Sequence, residues 1–197
     1  LEEPPPNTRW LLVTAQPERL LPTIRSRALK IALPRPGLAE AGTWLRGQGV
    51  TAGEVDALLA RARGAPLEAL SFSRSESGTA MSDFVQDLLR PGQLPTLKWG
   101  AWVEGGAKAD RRERFATLLR CLLDWTSDWS RTRASLPPLI HVGQQAALTR
   151  LAPGLPVAEA LRYHRALLRK LNLPDTTLSA RLQLESILLD YRALFSR

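Results

Sequence analysis

Apolar residues change their spacing near residue 36. Before that point they come in short unbroken runs, "TRWLLVTA" (8–15) and "LKIAL" (29–33). Their length and continuity suit strands buried on both faces, as in a parallel sheet. Between them, "QPERLLPTIRSRA" (16–28) reads as a short helix or turn, with Pro17 near its start and Pro22 interrupting it. Two strands cannot make a stable domain alone, so this segment predicts the edge of a sheet whose other strands lie elsewhere. The opening "LEEPPPNTRW" reads as the end of a helix stopped by three prolines, and an upstream portion is therefore expected.

After "PRP" (34–36) the spacing becomes helical. "GLAEAGTWLRGQGV" (37–50) is a helix with Gly stops, "TAGEVDALLARARG" (51–64) ends at Gly64, and "APLEALSFS" (65–73) has Pro66 in its first turn. The polar "SRSESGT" (73–79) predicts a domain boundary. Further helices are predicted at 80–90, 95–104, 110–130, 136–152, 156–172 and 177–195. In the third of these, Phe115, Leu118, Leu119, Leu122 and Leu123 recur on one buried face. Val157, Leu161, Leu167, Leu168 and Leu171 broadly repeat the pattern, as do Leu184, Ile187, Leu188 and Tyr191. Pro and Gly fall between the blocks, where antiparallel helices would be joined. The fold class is mainly α: a remnant α/β edge (1–34), a small helical unit (35–75) and a helical bundle (76–197). No internal repeat emerges.

Composition narrows the function classes. Hydrophobic residues make up 44% and charged residues 23% of 197, which suits a packed globular core. No apolar run reaches the roughly 18 to 20 residues of a membrane span. No signal-peptide pattern opens the chain, so the cytoplasm is the default compartment. The single Cys121 excludes an internal disulfide and a cysteine-based zinc site within this chain. The net charge of +8, from 23 Arg and 4 Lys, favours polyanionic partners. It is equally well read as a compositional habit, since the arginines are spread along the chain. The densest groups, "DRRER" (110–114) and "RYHRALLRK" (162–170), also contain acidic or apolar residues.

Candidate chemistry is sparse. His141 follows "LPPLI", and His164 lies in a helical run beside Arg162 and Arg165; neither has the Cys, Asp or Glu company of a metal site or nucleophile triad. Both read as structural. "LEE" (1–3) and "QLES" (183–186) show no paired acid/base constellation. "GAWVEGGAKAD" (100–110) lacks the strand-then-GK[ST] context of a phosphate loop. The six tryptophans (10, 44, 99, 102, 125, 129) could stack nucleobases, but Trp125 and Trp129 sit four apart on a helix with a defined core face and predict packing. No metal is expected, and no self-contained catalytic site is visible.

What remains is the "RSR" at 25–27. Arg25 and Arg27 could be solvated residues in a turn before a strand, and pattern alone favours that. Alternatively, an Arg on a rigid sheet-edge loop can reach a neighbouring subunit and offer forked donors to phosphate oxygens. The whole stretch "LEEPPPNTRWLLVTAQPERLLPTIRSRA" resembles the AAA+ clamp-loader family of bacterial DNA polymerase III. The "LEEPP" helix end, the strand leading to the sensor-1 position, the "P…LLPTI(R)S" connection and the "SRC"-like tripeptide occur in order. The resemblance covers residues 1 to about 70 well; beyond 75 it rests on length and helical character. It implies the end of an ATPase core (1–34), a helical lid (35–75) and an oligomerising collar bundle (76–197).

Carried over by position, Ser26 and Arg27 take the "SR" of the motif, with Ala28 where the family has Cys. In the family this arginine acts in trans on ATP–Mg bound by the adjacent motor subunit. The polar sensor-1 residue falls on Ala15, with Thr14 out of register, and the sensor-2 arginine falls on Leu67. Neither Ala nor Leu can engage a triphosphate. The resemblance therefore implies a non-hydrolysing subunit of a hetero-oligomeric ring within the DNA-directed DNA polymerase (nucleotidyltransferase) holoenzyme. Such a subunit has no cofactor of its own and no membrane contact, and meets the sliding clamp and primed DNA through the complex. Two competitors stand beside it: an ATP-hydrolysing AAA+ subunit, and a basic helical adaptor binding DNA through 111–114 and 162–170.

Overall fold

A computed structural model describes residues 5–105, 107–151, 156–171 and 179–196. The chain divides into two compact units, Leu1–Arg35 and Pro36–Arg197. Among the described residues the regular structure is helical throughout, ten α-helices with three single 3-10 turns.

The first unit departs from the sequence expectation. Residues 8–15 and 29–33 form no strand. A strand is a paired state, and neither run meets a pairing partner among the described residues. Their side chains are correspondingly open, with Leu11 88% and Ile31 72% exposed. Between them, a 3-10 turn at Pro17–Arg19 leads into α1, Pro22–Arg27. Pro22 does not interrupt this helix; it opens it. At the first helical position its missing N–H costs nothing and its fixed φ is already helical.

In the second unit, α2 (Leu38–Gly47), α3 (Ala52–Arg61) and α4 (Pro66–Arg74) close around Ala41, Leu45, Val55, Leu59 and Ala69. After α3 the chain turns through two left-handed residues, Arg63 (φ 50°) and Gly64 (φ 81°), and the Gly64 N–H bonds back to the Leu59 carbonyl at 2.8 Å. The helix therefore stops at Arg61, three residues before the glycine that ends its sequence pattern.

A larger core gathers α5 (Glu76–Leu88), α6 (Thr96–Glu104), α7 (Asp110–Arg133), α8 (Gln145–Leu151), α9 (Val157–Leu171) and α10 (Ala180–Ala193). The 24-residue α7 is its axis, touching each of the other five. Its predicted face holds: Leu118, Leu119, Leu122 and Leu123 are buried, and the face continues through Trp125 and Trp129. Each such side chain contributes about 1.5 to 3 kcal/mol by leaving water.

The polar "SRSESGT" stretch is not a loose linker. Only Ser75 leaves helical geometry, and its Oγ accepts the Gly78 N–H at 3.0 Å, so α5 starts at Glu76 rather than at 80. Gly78 lies so close to the Phe72 carbonyl that a Cβ there would overlap it. Phe72, in turn, packs against both cores.

The helix expected at 136–152 is also shorter. Residues 136–141 are irregular, a 3-10 turn covers Val142–Gln144, and α8 begins at Gln145. Pro137 and Pro138 cannot lie in a helix interior, and the amides that follow them are drawn to a buried carboxylate described below. The helix predicted at 177–195 is observed as Ala180–Ala193; residues 177 and 178 lie outside the described residues, as does 172 of the 156–172 prediction.

Candidate functional site

The α1 helix carries the sequence-predicted residues Ser26 and Arg27. Its six residues give it little intrinsic stability, and the sequence compensates at both ends. Pro22 opens it after the extended Leu21, and Arg25 and Arg27 occupy the last turn, where a cation complements the helix dipole. Ser26 is exposed, and its hydroxyl folds back along the helix to donate to the Thr23 carbonyl at 3.1 Å. Arg25 and Arg27 are exposed. Two positions apart on a helix they project in nearly opposite directions, so one of them at a time can serve a given ligand. Ala28 then takes extended geometry (φ −115°, ψ 137°) and ends the helix.

Ala15 lies in irregular chain before the 3-10 turn and is exposed. Beside it Thr14 is engaged locally, its Oγ1 accepting the Gln16 N–H at 3.0 Å. Leu67 belongs to the other unit, in the first turn of α4, and is 73% exposed.

The structure corrects the reading of the histidines. His141 does have acidic company: its Nδ1 lies 3.0 Å from Asp128 Oδ2, with both side chains buried. The same carboxylate accepts backbone N–H groups from Leu139 (2.7 Å), Ile140 (3.0 Å) and His141 (2.7 Å). Burial alone would raise the Asp128 carboxyl pKa; the bonds from His141 and the three amides outweigh it and hold the group below its ordinary 3.8. The Trp125 ring meets the imidazole edge-on at 5.4 Å. An Asp–His pair is two thirds of a nucleophilic triad. Here both side chains are buried, and the carboxylate's remaining bonds go to backbone, so it fastens residues 139–141 onto α7. The sequence did carry a signal for it, since Asp128 occupies a core position of the α7 stripe three residues after Trp125.

His164 meets Thr126, Nδ1 to Oγ1, at 2.7 Å. Burial lowers its pKa below 6.5, partly opposed by the negative charge of Asp124. Cys121 is buried, and desolvation pushes its thiol up to about 12, which leaves no thiolate for chemistry. Among the described residues no three His, Cys, Asp or Glu side chains gather as a metal site. No helix among them is long and apolar enough to cross a membrane.

The two basic groups part company. In 110–114, Arg114 turns inward, stacking over Trp102 at 4.9 Å and donating to the Trp102 carbonyl at 2.9 Å. Arg111 is half-buried. By contrast Arg162, Arg165 and Arg169 on α9 are exposed. The tryptophans divide similarly: Trp99, Trp125 and Trp129 are buried, while Trp10 is 61% exposed.

Comparison with known proteins adds to this geometry. The family described as "DNA polymerase III, delta subunit" matches residues 1–37. The DNA polymerase III subunit delta' of Pseudomonas aeruginosa is 45% identical over 71 residues, 35% of this chain and 22% of the relative. The DNA polymerase III subunit delta' of Escherichia coli K12 is 42% identical over 102 residues, 50% of this chain and 29% of the relative. The matches thus span 22% and 29% of these relatives' own lengths, less than a third of each. The resemblance drawn from the "LEEPP…RSR" stretch and these identities point the same way.

Proposed function

We propose that this chain is the C-terminal portion of a delta'-type clamp-loader subunit that hydrolyses no ATP of its own. In this reading Arg27 acts in trans, reaching the γ-phosphate of ATP–Mg held by an adjacent motor subunit. Its guanidinium neutralises charge that develops on the phosphoryl and leaving oxygens in the transition state. Ser26 helps hold the short helix that carries it. Residues 35–75 form the lid and residues 76–197 the collar, whose outward helix faces join the ring. The ring's nucleotide cycle then opens the sliding clamp and releases it on primed DNA, in the cytoplasm.

The observation that carries the reading is Arg27 itself, an exposed cation in the last turn of α1, inside the stretch matched by the polymerase III family. Ala15 and Leu67 support the non-hydrolysing half, because neither side chain can donate to a phosphate or orient water.

The test is Arg27→Ala in the reconstituted complex. Assembly should be retained, while turnover at the neighbouring site falls by about 10³ to 10⁵, the range of an arginine finger. Unchanged turnover would remove the role. Titration of the full-length subunit alone with nucleotide should show no binding.

A further inference from the structure

The outward face of α9 holds two parallel rows. Val157, Leu161 and Leu168 follow the spacing i, i+4, i+11, with His164 between them turned to Thr126 of α7; Ala158, Arg162, Arg165 and Arg169 follow i, i+4, i+7, i+11 one residue along. The core side is already satisfied by Ala160, Tyr163 and Leu167. Val157, Leu161 and Leu168 stay 43%, 42% and 42% exposed, and the three arginines are open to solvent. Glu159 is the helix's single acid; it bonds Arg162 from below at 3.6 Å, so the outward rows contain no carboxylate.

The contrast is α10, whose outward row of Leu182, Ser186, Leu189 and Ala193 has the same spacing but is bordered by Asp190 and by two arginines already engaged, Arg181 with Glu104 and Glu185 and Arg192 with the Gly92 carbonyl. An apolar row alone would accept any apolar helix. A continuous arginine row beside it selects for carboxylates and rejects lysines, since like charges brought together repel. A nucleic-acid backbone would use the arginine row alone and leave three large apolar side chains against water. An amphipathic helix with an apolar stripe edged by Glu or Asp uses both rows.

We infer that the Leu161/Leu168 and Arg162/Arg165/Arg169 face of α9 docks an acidic amphipathic helix of a neighbouring subunit. This rests on the clamp-loader reading and specifies which collar face is used and the chemistry of its partner.

The test uses the complex reconstituted from the full-length subunit and its sister subunits. Arg165→Glu with Arg169→Glu should weaken association by about tenfold or more at 0.1 M salt, with a smaller loss at higher salt, as exposed charges are screened. Circular dichroism of the variant should match the wild type, because both side chains face solvent. A photo-crosslinking residue in place of Arg165 should label a Glu- or Asp-bearing helix of a sister subunit. Association of the double variant at wild-type affinity would overturn the inference alone, as would crosslinks to DNA or to a basic segment. Failure of the wild-type subunit to join the complex would overturn both the inference and the clamp-loader reading, so the two failures are told apart.

Discussion

At the scale of single residues, Asp128 is held from four directions. Its carboxylate satisfies three backbone amides and the His141 ring at once. Asp128→Ala strands those donors in a buried site, and denaturant unfolding should show a loss of about 3 to 5 kcal/mol, as for other broken buried pairs. The pKa held below 3.8 fixes the sign of the pH response. The stabilisation is complete above pH 3.8 and is lost as pH falls from there through the folded-state value, because the unfolded chain takes up the proton first. Asp128→Asn should flatten that acid limb. His164 has the same sign for a different reason: burial disfavours its cation, so its share of stability is present above pH 6.5 and is lost as pH falls below it. Unfolding measured at pH 7.5 and 5.5 should show the loss, and His164→Gln should remove that part of it. For Cys121, with its thiol pushed up to about 12 and no exposure, labelling by a thiol reagent should follow the rate of structural opening rather than reagent concentration.

At the scale of elements, two joints decide the packing. Where α4 meets α5, the Phe72 carbonyl occupies the space a Cβ at position 78 would need, and the Arg61 guanidinium donates to the Gly78 carbonyl at 3.3 Å. Gly78→Ala therefore forces backbone apart rather than shifting a flexible side chain, and should cost about 1 to 3 kcal/mol in thermal or denaturant unfolding. A favourable helix propensity for Ala would have argued the opposite from sequence alone. The second joint is Tyr191 of α10. Its hydroxyl accepts the Trp125 Nε1–H at 2.9 Å and donates to the Leu88 carbonyl at 3.0 Å, tying α10 to α7 and to the end of α5. Tyr191→Phe leaves the indole donor unpaired in the core, and unfolding should register about 1 to 3 kcal/mol.

For the whole molecule, the buried apolar residues among those described belong to 36–197, while the described apolar side chains of the first unit stand largely in solvent. Residues 36–197 alone should fold with an unchanged melting midpoint by circular dichroism. A midpoint well below that of the full chain would mean that residues 1–35 carry part of the stability.

Much of this architecture was legible in the spacing of apolar residues. Amphipathic helices are local objects: their 3.6-residue period names the buried face without reference to a partner, and so α2 to α7, α9 and α10 are legible within a few residues. The turn at Gly64 is an equally local matter. What the sequence could not decide was anything that needs a second segment of chain. Strand character at 8–15 and 29–33 depends on neighbours to take up the backbone groups. The stop at 136–141 depends on Asp128, and the company of His141 depends on the same carboxylate thirteen residues upstream. Periodicity reports which way a side chain faces; only the folded chain reports what it meets there.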